Sequence, residues 1–410
     1  MADDGRLGTR VVAVDDDAAA PRRYRAGDPS RVSGEDEEVV RMALSRGSGE
    51  GPAADRTTAG PADVAGHGRA GRPATPAPST LRGMSEADLL AEILPRLRGD
   101  GSASSAVVVP AGDDAAVLAV ASGTVVATTD TMVRGRDWRD EWSSGRDVGA
   151  KVVAQNLADL AAMGAVGTGL LVALVADPDT ELAWVRDLAD GIAAAAAQAA
   201  VPVVGGDLSG APAGVVVVAV TALGDLGDRR PVLRSGARPG DVVAVAGSLG
   251  RSGAGLVVLA RDGAEGADRW SPQEAAAVAA HRAPTAPYAA GPRAAEAGAT
   301  AMIDISDGLL RDAGRVAGAS GVRLDLSEGV LREAYAAPLA PAVGAEEAWR
   351  QVLTGGEEHS LLACFPALEQ VPPGGQWRVV GRVLEAGPEG AQVTVDGRRV
   401  PEGGWDHFAG

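Results

Sequence analysis

The chain has 410 residues, enough for two to three domains of ordinary size. Hydrophobic residues make up 46% of it but aromatics only 3%, so a sizeable core has to be built from Ala, Val and Leu. The formal net charge of −17 excludes nucleic acid and anionic membranes as expected partners, because a uniformly acidic surface repels both.

Residues 1–83 carry the acidic runs Asp15-Asp16-Asp17 and Glu35-Asp36-Glu37-Glu38 and end in a Pro-rich RPATPAPST. With little hydrophobic periodicity, they are predicted to be a disordered extension. The opening MADDGRLGTR lacks the apolar core of a signal peptide, and no run of about 18 apolar residues follows. A cytoplasmic protein is expected. The single cysteine, Cys364, excludes an intramolecular disulfide.

A helix is predicted from Met84 in SEADLLAEILPRL, with Ser85 as N-cap and a carboxylate at the third helical position. Strand and helix signals then alternate. Ala106–Val109 and Gly123–Thr128 read as strands, Arg146–Met163 as a helix, Gly169–Val175 as a strand and Glu181–Ala200 as an Ala-rich helix. Val201–Val204 and Gly214–Ala222 are strands, and the turn SGARPGD marks a boundary near residue 238. A second block has strands at Asp241–Ala246, Thr300–Ile303, Leu361–Phe365 and Trp377–Val383, with a helix at Gly308–Ala317. The expected organisation is a domain over 84–237 and another over 238–410, α/β or α+β in class.

The chemically informative feature is aspartate at strand ends and turns, usually beside glycine. GDDAAVL supplies Asp113 and Asp114 between two strands, and NLADLAAMGA supplies Asp159 on a helix. TTDTMV supplies Thr128, Thr129 and Asp130 at a strand end, where the carboxylate and both hydroxyls are expected to converge. GGDLSG puts Asp207 just after a strand, and DISDGL puts Asp304, Ser306 and Asp307 where a strand turns into a helix. Taken singly, an Asp beside Gly reads more readily as a turn or helix cap. Five together point to shared divalent cations, because like charges held close repel. Mg²⁺ prefers oxygen and is typically shared among carboxylates, water and substrate phosphates.

The same inventory narrows the reaction. The only lysine, Lys151, lies in VGAKVV and not in a GxxxxGK[ST] loop, which excludes a Walker-A site. No GxSxG elbow, Cys–His pair or HRD/DFG set is present. Phosphoryl transfer asks mainly for alignment and charge neutralisation, and an acceptor that is itself a phosphate needs no general base. Gly247, Gly250, Gly253 and Gly255 in AVAGSLGRSGAGL could cradle an anion or simply form a turn. Arg234 in VLRSGARPGD could contact phosphate or lie free on the surface.

In order and approximate spacing, GDDAAVL, TTDTMV, NLADLAAMGA, GGDLSG, RSGARPGD, AGSLG, DISDGL and LTGGEEHSLL resemble the thiamine-monophosphate kinase family. That family belongs to the ATP-binding superfamily of aminoimidazole ribonucleotide synthetase. The resemblance covers residues 84–410. It implies a two-domain aminoimidazole ribonucleotide synthetase-like fold, with an N-terminal α/β dimerisation and ATP domain and a C-terminal α+β domain. It implies a homodimer, ATP as donor, thiamine monophosphate as acceptor and Mg²⁺ as metal. Motif by motif, it puts metal ligands on Asp113, Thr128, Thr129, Asp130, Asp159, Asp207, Asp304 and Asp307. ATP contacts fall on Gly206, Asp207, Arg234 and Ser306, and acceptor contacts on Glu357 and Trp405.

The sequence departs from the family on the acceptor side. RGRDW puts Asp137 in the acceptor-contact position where the family commonly has His, and GGEEHSL puts His359 and Ser360 where it has Tyr and Glu. Ala189 stands in place of a tyrosine near the adenine, and GGDLSG lacks two hydroxyls and an arginine. Two other readings compete: another ATP-using enzyme of the superfamily, or a nonenzymatic nucleotide-binding regulator. Cys364, mid-strand in LLACF, argues against superfamily members that need a catalytic or terminal cysteine.

Overall fold

The computed structural model describes residues 79–97, 106–109, 115–401 and 403–405. Asp113 and all of the predicted extension up to residue 78 lie outside them. The predicted helix is α1 (Glu86–Leu97). Ser85 Oγ accepts from the Asp88 amide, and Asp88 accepts from the Ser85 amide in return. Five residues upstream of Met84 the chain is already engaged: the Leu81 amide donates to Thr180 O, and the Leu182 amide to Ser79 O.

The next elements are β1 (Val107–Val109), β2 (Val117–Leu118), β3 (Val125–Val133), α2 (Gly145–Ala162), β4 (Val166–Ala176), α3 (Leu182–Gln198), β5 (Val203–Gly210) and β6 (Val216–Asp225). β3, β6, β4 and β5, in that order, make a four-stranded sheet. β4 and β5 run parallel across the α3 connection, and the other pairs are antiparallel. Alternation along β6 sends Val216, Val218, Val220 and Ala222 inward and leaves the residues between them half-buried.

Two aspartates sit differently from the expectation. Asp130 is not at a strand end, because β3 continues to Val133 and Asp130 pairs with Val220. Asp207 lies inside β5, not after it, paired with Ala173. In both cases the neighbouring strand extends the ladder through residues whose sequence reads as a turn.

The second part comprises β7 (Val242–Ala246), α4 (Arg251–Asp262), α5 (Pro272–Arg282), α6 (Ala290–Glu296), β8 (Ala301–Ile305), α7 (Leu309–Ser320), β9 (Val322–Leu326), α8 (Glu328–Leu331), α9 (Ala337–Val343), α10 (Ala345–Thr354), β10 (Ser360–Phe365), β11 (Trp377–Glu385), β12 (Gln392–Val395) and β13 (Arg398–Arg399). Its seven-stranded sheet has the order β13-β12-β9-β11-β7-β10-β8. Every residue of β8 and β10 is buried, as befits strands covered on both faces. Leu362 and Cys364 point into one core, and Leu361, Ala363 and Phe365 into another.

α2 is the spine between the sheets. It begins with a capping box between Ser144 and Asp147 and is buried on nearly every side. Val148, Val152, Leu157 and Leu160 join the core of the first sheet. Ala161 and Ala162 pack into the layer formed by Ala244, Ala246, Met302, Leu361 and Phe365 of the second. Small residues make this close approach possible. A Cβ on Gly149 would lie 2.4 Å from Leu188 O of α3. At the far end of α2, a Cβ on Gly291 of α6 would lie 1.9 Å from Ala161 O.

Candidate active site

β3 is an edge strand, so alternate amides point away from the sheet. The amide of Asp130 is taken by Asn156 Oδ1 of α2 at 3.1 Å, while Asn156 Nδ2 donates to Val152 O at 2.8 Å. Two residues earlier on the same face, Thr128 Oγ1 donates to Asp159 Oδ2 at 2.6 Å. The strand's period of two splits the predicted triplet. Thr129 faces the other way, donating to Val220 O and accepting from Thr221 Oγ1, both at 3.0 Å. The expected convergence of both hydroxyls with Asp130 therefore does not occur; only Thr128 shares its face.

Across the seam stands Asp304, buried on β8. The Asp159 carboxyl is pushed up to about 6, first by burial and then by the Asp304 charge, with Asp130 adding to it. The Thr128 bond and His359 act in the opposite direction. One strand of the first sheet, one helix and one strand of the second thus bring Thr128, Asp130, Asp159 and Asp304 together.

The turn after β8 carries Ser306 and Asp307, as predicted. Gly308 at φ +111° lets it pass under α10, where a Cβ would lie 2.7 Å from Thr354 O. Asp312 of α7, which sequence reasoning missed, holds the turn by accepting from the amides of Ser306 (3.1 Å) and Asp307 (2.9 Å). Its carboxyl is pushed up to about 7, by burial and then by Asp304, against the Asp307 amide and Arg315. Arg315 bonds both Asp307 Oδ2 and Asp312 Oδ1 at 2.5 Å. The Trp405 amide donates to Asp307 O at 2.9 Å, which sets the half-exposed indole beside the turn.

The GGEEHS segment is fastened to the end of β8. The Glu357 amide donates to Ser306 O and the His359 amide to Ile305 O. Both residues adopt left-handed backbone, at φ +59° and +53°, a strain of about 1–3 kcal/mol each that surrounding contacts must offset. Glu357 Oε1 accepts from Lys151 Nζ of α2 at 2.9 Å, and its Oε2 lies 3.3 Å from His281 Nδ1 of α5. Burial alone would raise the Glu357 carboxyl, but Lys151 and His281 outweigh it and hold it below its ordinary value. His359 is 4% exposed, and its Nδ1 is 3.8 Å from Asp304 Oδ2. Neither of its ring nitrogens has a hydrogen-bond partner among the described residues.

The remaining predicted residues lie elsewhere. Asp130, Val220, Val172 and Gly206 are successive cross-strand partners. Gly206 and Asp207 are thus three strand spacings, about 14 Å, from Asp130 at the opposite sheet edge. They line an apolar cleft of about 620 Å³, counted to its open mouth, between β5 and helices α1 and α3. Ile93, Leu97, Leu188, Ala189 and Ile192 form its walls. Exposed Arg234 sits beside the outer edge of β8, next to Leu233, whose carbonyl accepts from Met302. Asp137 Oδ2 accepts from the Val133 amide at 2.7 Å, so at least one oxygen serves the local turn.

The chemistry of this donor set fits a hard divalent cation. Asp304 and Asp130 raise the energy of the Asp159 carboxylate in a partly buried seam, and all three offer oxygen. Among the described residues no three His, Cys, Asp or Glu side chains converge closely enough to hold an ion alone. A cation here would draw further ligands from water and phosphate, as Mg²⁺ commonly does.

The chain is similar to known proteins in both sequence and fold. The family models "AIR synthase related protein, N-terminal domain" and "AIR synthase related protein, C-terminal domain" match residues 112–226 and 238–393. The thiamine-monophosphate kinase of Mycobacterium tuberculosis is 44% identical over 309 residues, 74% of this chain and 86% of the relative. The crystal structure of thiamine-monophosphate kinase from Stenotrophomonas maltophilia K279a is 27% identical. It superposes with a TM-score of 0.64 over 76% of this chain and 96% of that one. AaThiL complexed with AMPPCP and TMP is 30% identical, with a TM-score of 0.62 over 79% of this chain and 97% of that one. Two strands, a helix and a strand–helix turn that gather carboxylates between two AIR synthase-like halves thus have a family to match, and the chain belongs to it: the thiamine-monophosphate kinases among the AIR synthase related proteins.

Proposed function

We propose that this chain transfers the γ-phosphoryl group of ATP directly to the phosphate of thiamine monophosphate, giving thiamine diphosphate. The observation that carries the reading is Asp159, bonded to Thr128 and repelled by Asp130 and Asp304 at the seam of the two sheets. AMPPCP and TMP, bound together in the AaThiL complex, support the choice of donor and acceptor.

Asp130, Asp159 and Asp304 would hold Mg²⁺, joined by Thr128 and Asp307 and, as the family resemblance implies, by Asp113; Thr129 faces away from this set, and Asp207, at the opposite sheet edge, would join it only from a second copy. Once bound, Mg²⁺ offsets the charge on the phosphate oxygens. The protein's own part is alignment. Gly206 and Asp207 offer the adenosine an apolar cleft. Arg234 and Ser306 lie along β8 and its turn toward the phosphates. Glu357 and Trp405 meet the acceptor's cationic ring and its flat face. The acceptor phosphate is already an anion, so no residue has to remove a proton before attack.

The distance between Asp130 and Gly206 across one sheet supports a homodimer, in which a second copy brings its cleft edge to this carboxylate cluster. A cytoplasmic setting fits a chain in which, among the described residues, no helix is long and apolar enough to cross a membrane. Cys364 is fully buried in β10, its thiol pushed up to about 12 by burial and the Asp241 charge. That speaks against related enzymes that act through a cysteine.

The deciding experiment follows ³¹P resonances of ATP with and without thiamine monophosphate. Acceptor-dependent appearance of ADP and thiamine diphosphate is expected. ATP hydrolysis indifferent to the acceptor would refute the reading. Sedimentation at micromolar concentration tests the dimer, and a monomer would count against a shared site.

A further inference from the structure

Lys151 is the chain's only lysine, and its side chain is 3% exposed. A buried ammonium needs a reason, because flexible, strongly hydrated lysine is ordinarily a surface residue. Its partner is Glu357, 206 residues away, whose side chain is still 36% exposed. One side of that carboxylate is therefore gripped and the other open. His281 grips it too. Its pKa is depressed to about 4, chiefly by burial and then by Lys151, so the imidazole is neutral at physiological pH. Its Nδ1 lies 3.3 Å from Glu357 Oε2 and 3.2 Å from the Ser252 hydroxyl, so the ring packs against the carboxylate while sharing that nitrogen with Ser252.

Three elements meet at this carboxylate: α2 through Lys151, α5 through His281, and the strained GGEEHS segment through Glu357 itself. Lys151 and Asp159 are eight residues apart on α2, about 80° apart around the helix and roughly 12 Å apart along a rigid rod. The helix that supplies a carboxylate to the metal cluster thus also sets the direction of Glu357.

We propose that Lys151 is a positioning residue for the acceptor: with His281 it fixes the direction of the Glu357 carboxylate and keeps it in register with Asp159. The inference rests on the reading of Glu357 as an acceptor contact. A carboxylate bonded beforehand by Lys151 and packed against His281 loses little freedom when the acceptor's cationic ring arrives, and that is where the affinity is gained.

Steady-state kinetics on the full chain test this, with Lys151→Met, Lys151→Arg, Glu357→Gln and the Met/Gln double variant. Lys151→Met should raise the acceptor KM about tenfold or more, with the ATP KM changed less than about twofold. Lys151→Arg keeps the charge in a different shape and should recover part of the loss. In the double variant the lysine change should add nothing to Glu357→Gln, because both act through one carboxylate. A merely structural lysine would instead raise both KM values alike, or multiply with Glu357→Gln, and either result overturns the proposal. If Lys151→Met does not fold, Lys151→Arg and His281→Asn carry the test, and an unchanged acceptor KM in both overturns it. An acceptor KM untouched by Glu357→Gln alone would refute the underlying reading of Glu357 and the proposal with it.

Discussion

The Thr128 hydroxyl bonds the Asp159 carboxylate at 2.6 Å, so edge strand β3 and buried helix α2 share a single acidic centre. Burial and the charges of Asp304 and Asp130 make that centre costly to keep. Asp159→Asn keeps the acceptor for Thr128 and removes the charge. Metal-free Asp159→Asn should be more stable than the parent by about 1–2 kcal/mol in urea unfolding. Its turnover should fall by about two orders of magnitude, the scale of losing one electrostatic stabiliser. Lower stability together with normal turnover would show that Asp159 is a structural carboxylate.

His281 gives the protein an acid limit. Its folded pKa, about 4, lies below the ordinary 6.5, so protons favour the unfolded chain. The stability it contributes is fully present above pH 6.5 and is lost as the pH falls through 4. Glu357, held below its ordinary value, adds to the loss at the acid end. Asp159 and Asp312, raised to about 6 and about 7, act in the opposite direction over this range, so the test is a difference: from pH 7.5 to 4 the urea midpoint of His281→Gln should rise relative to the parent's. Parallel curves for the two proteins would mean that another group sets the acid limit.

Gly308 cannot carry a side chain. At φ +111°, with Thr354 O 2.7 Å from a would-be Cβ, Gly308→Ala should cost about 2 kcal/mol or more. It should also displace Asp307, the preceding residue, so activity at fixed Mg²⁺ should fall further than stability explains. A thermal melt equal to the parent's would show that the turn relaxes without strain.

The N-terminal boundary of the functional unit is sharper than composition suggests. Deleting residues 1–78 should leave melting and turnover unchanged. Deleting 1–83 should cost about 1–3 kcal/mol, because the Leu81–Thr180 and Ser79–Leu182 backbone bonds go with it. The exposed Arg82–Asp179 pair adds little to that loss. Equal melting temperatures for the two truncations would contradict this.

The DISDGL turn was legible because its cues agree: an apolar strand, a glycine and then helical periodicity. α2, predicted as Arg146–Met163, is observed as Gly145–Ala162, within a residue at each end; the capping box of Ser144 and Asp147 fixes its start. Asp130 and Asp207 were read as lying at strand ends, because Thr, Asp and Gly are weak strand formers alone. The partner strands β6 and β4 supplied the ladder that propensity did not. β9, β12 and β13 escaped notice, being short strands: β9 pairs only with distant neighbours, and the β12–β13 hairpin holds only two residue pairs. The Lys151–Glu357–His281 contact was beyond local reading, since nothing in the residues around a lysine names a glutamate 206 positions away.

A chain with one lysine, and that one enclosed, has a built-in reporter. Apart from the α-amino group, an amine-reactive reagent finds no side-chain target unless the seam around Lys151 parts. The mass added at that residue, followed over time by spectrometry, would clock the opening of the joint between the two sheets. A ligand that braces the joint would slow the clock without any engineered label.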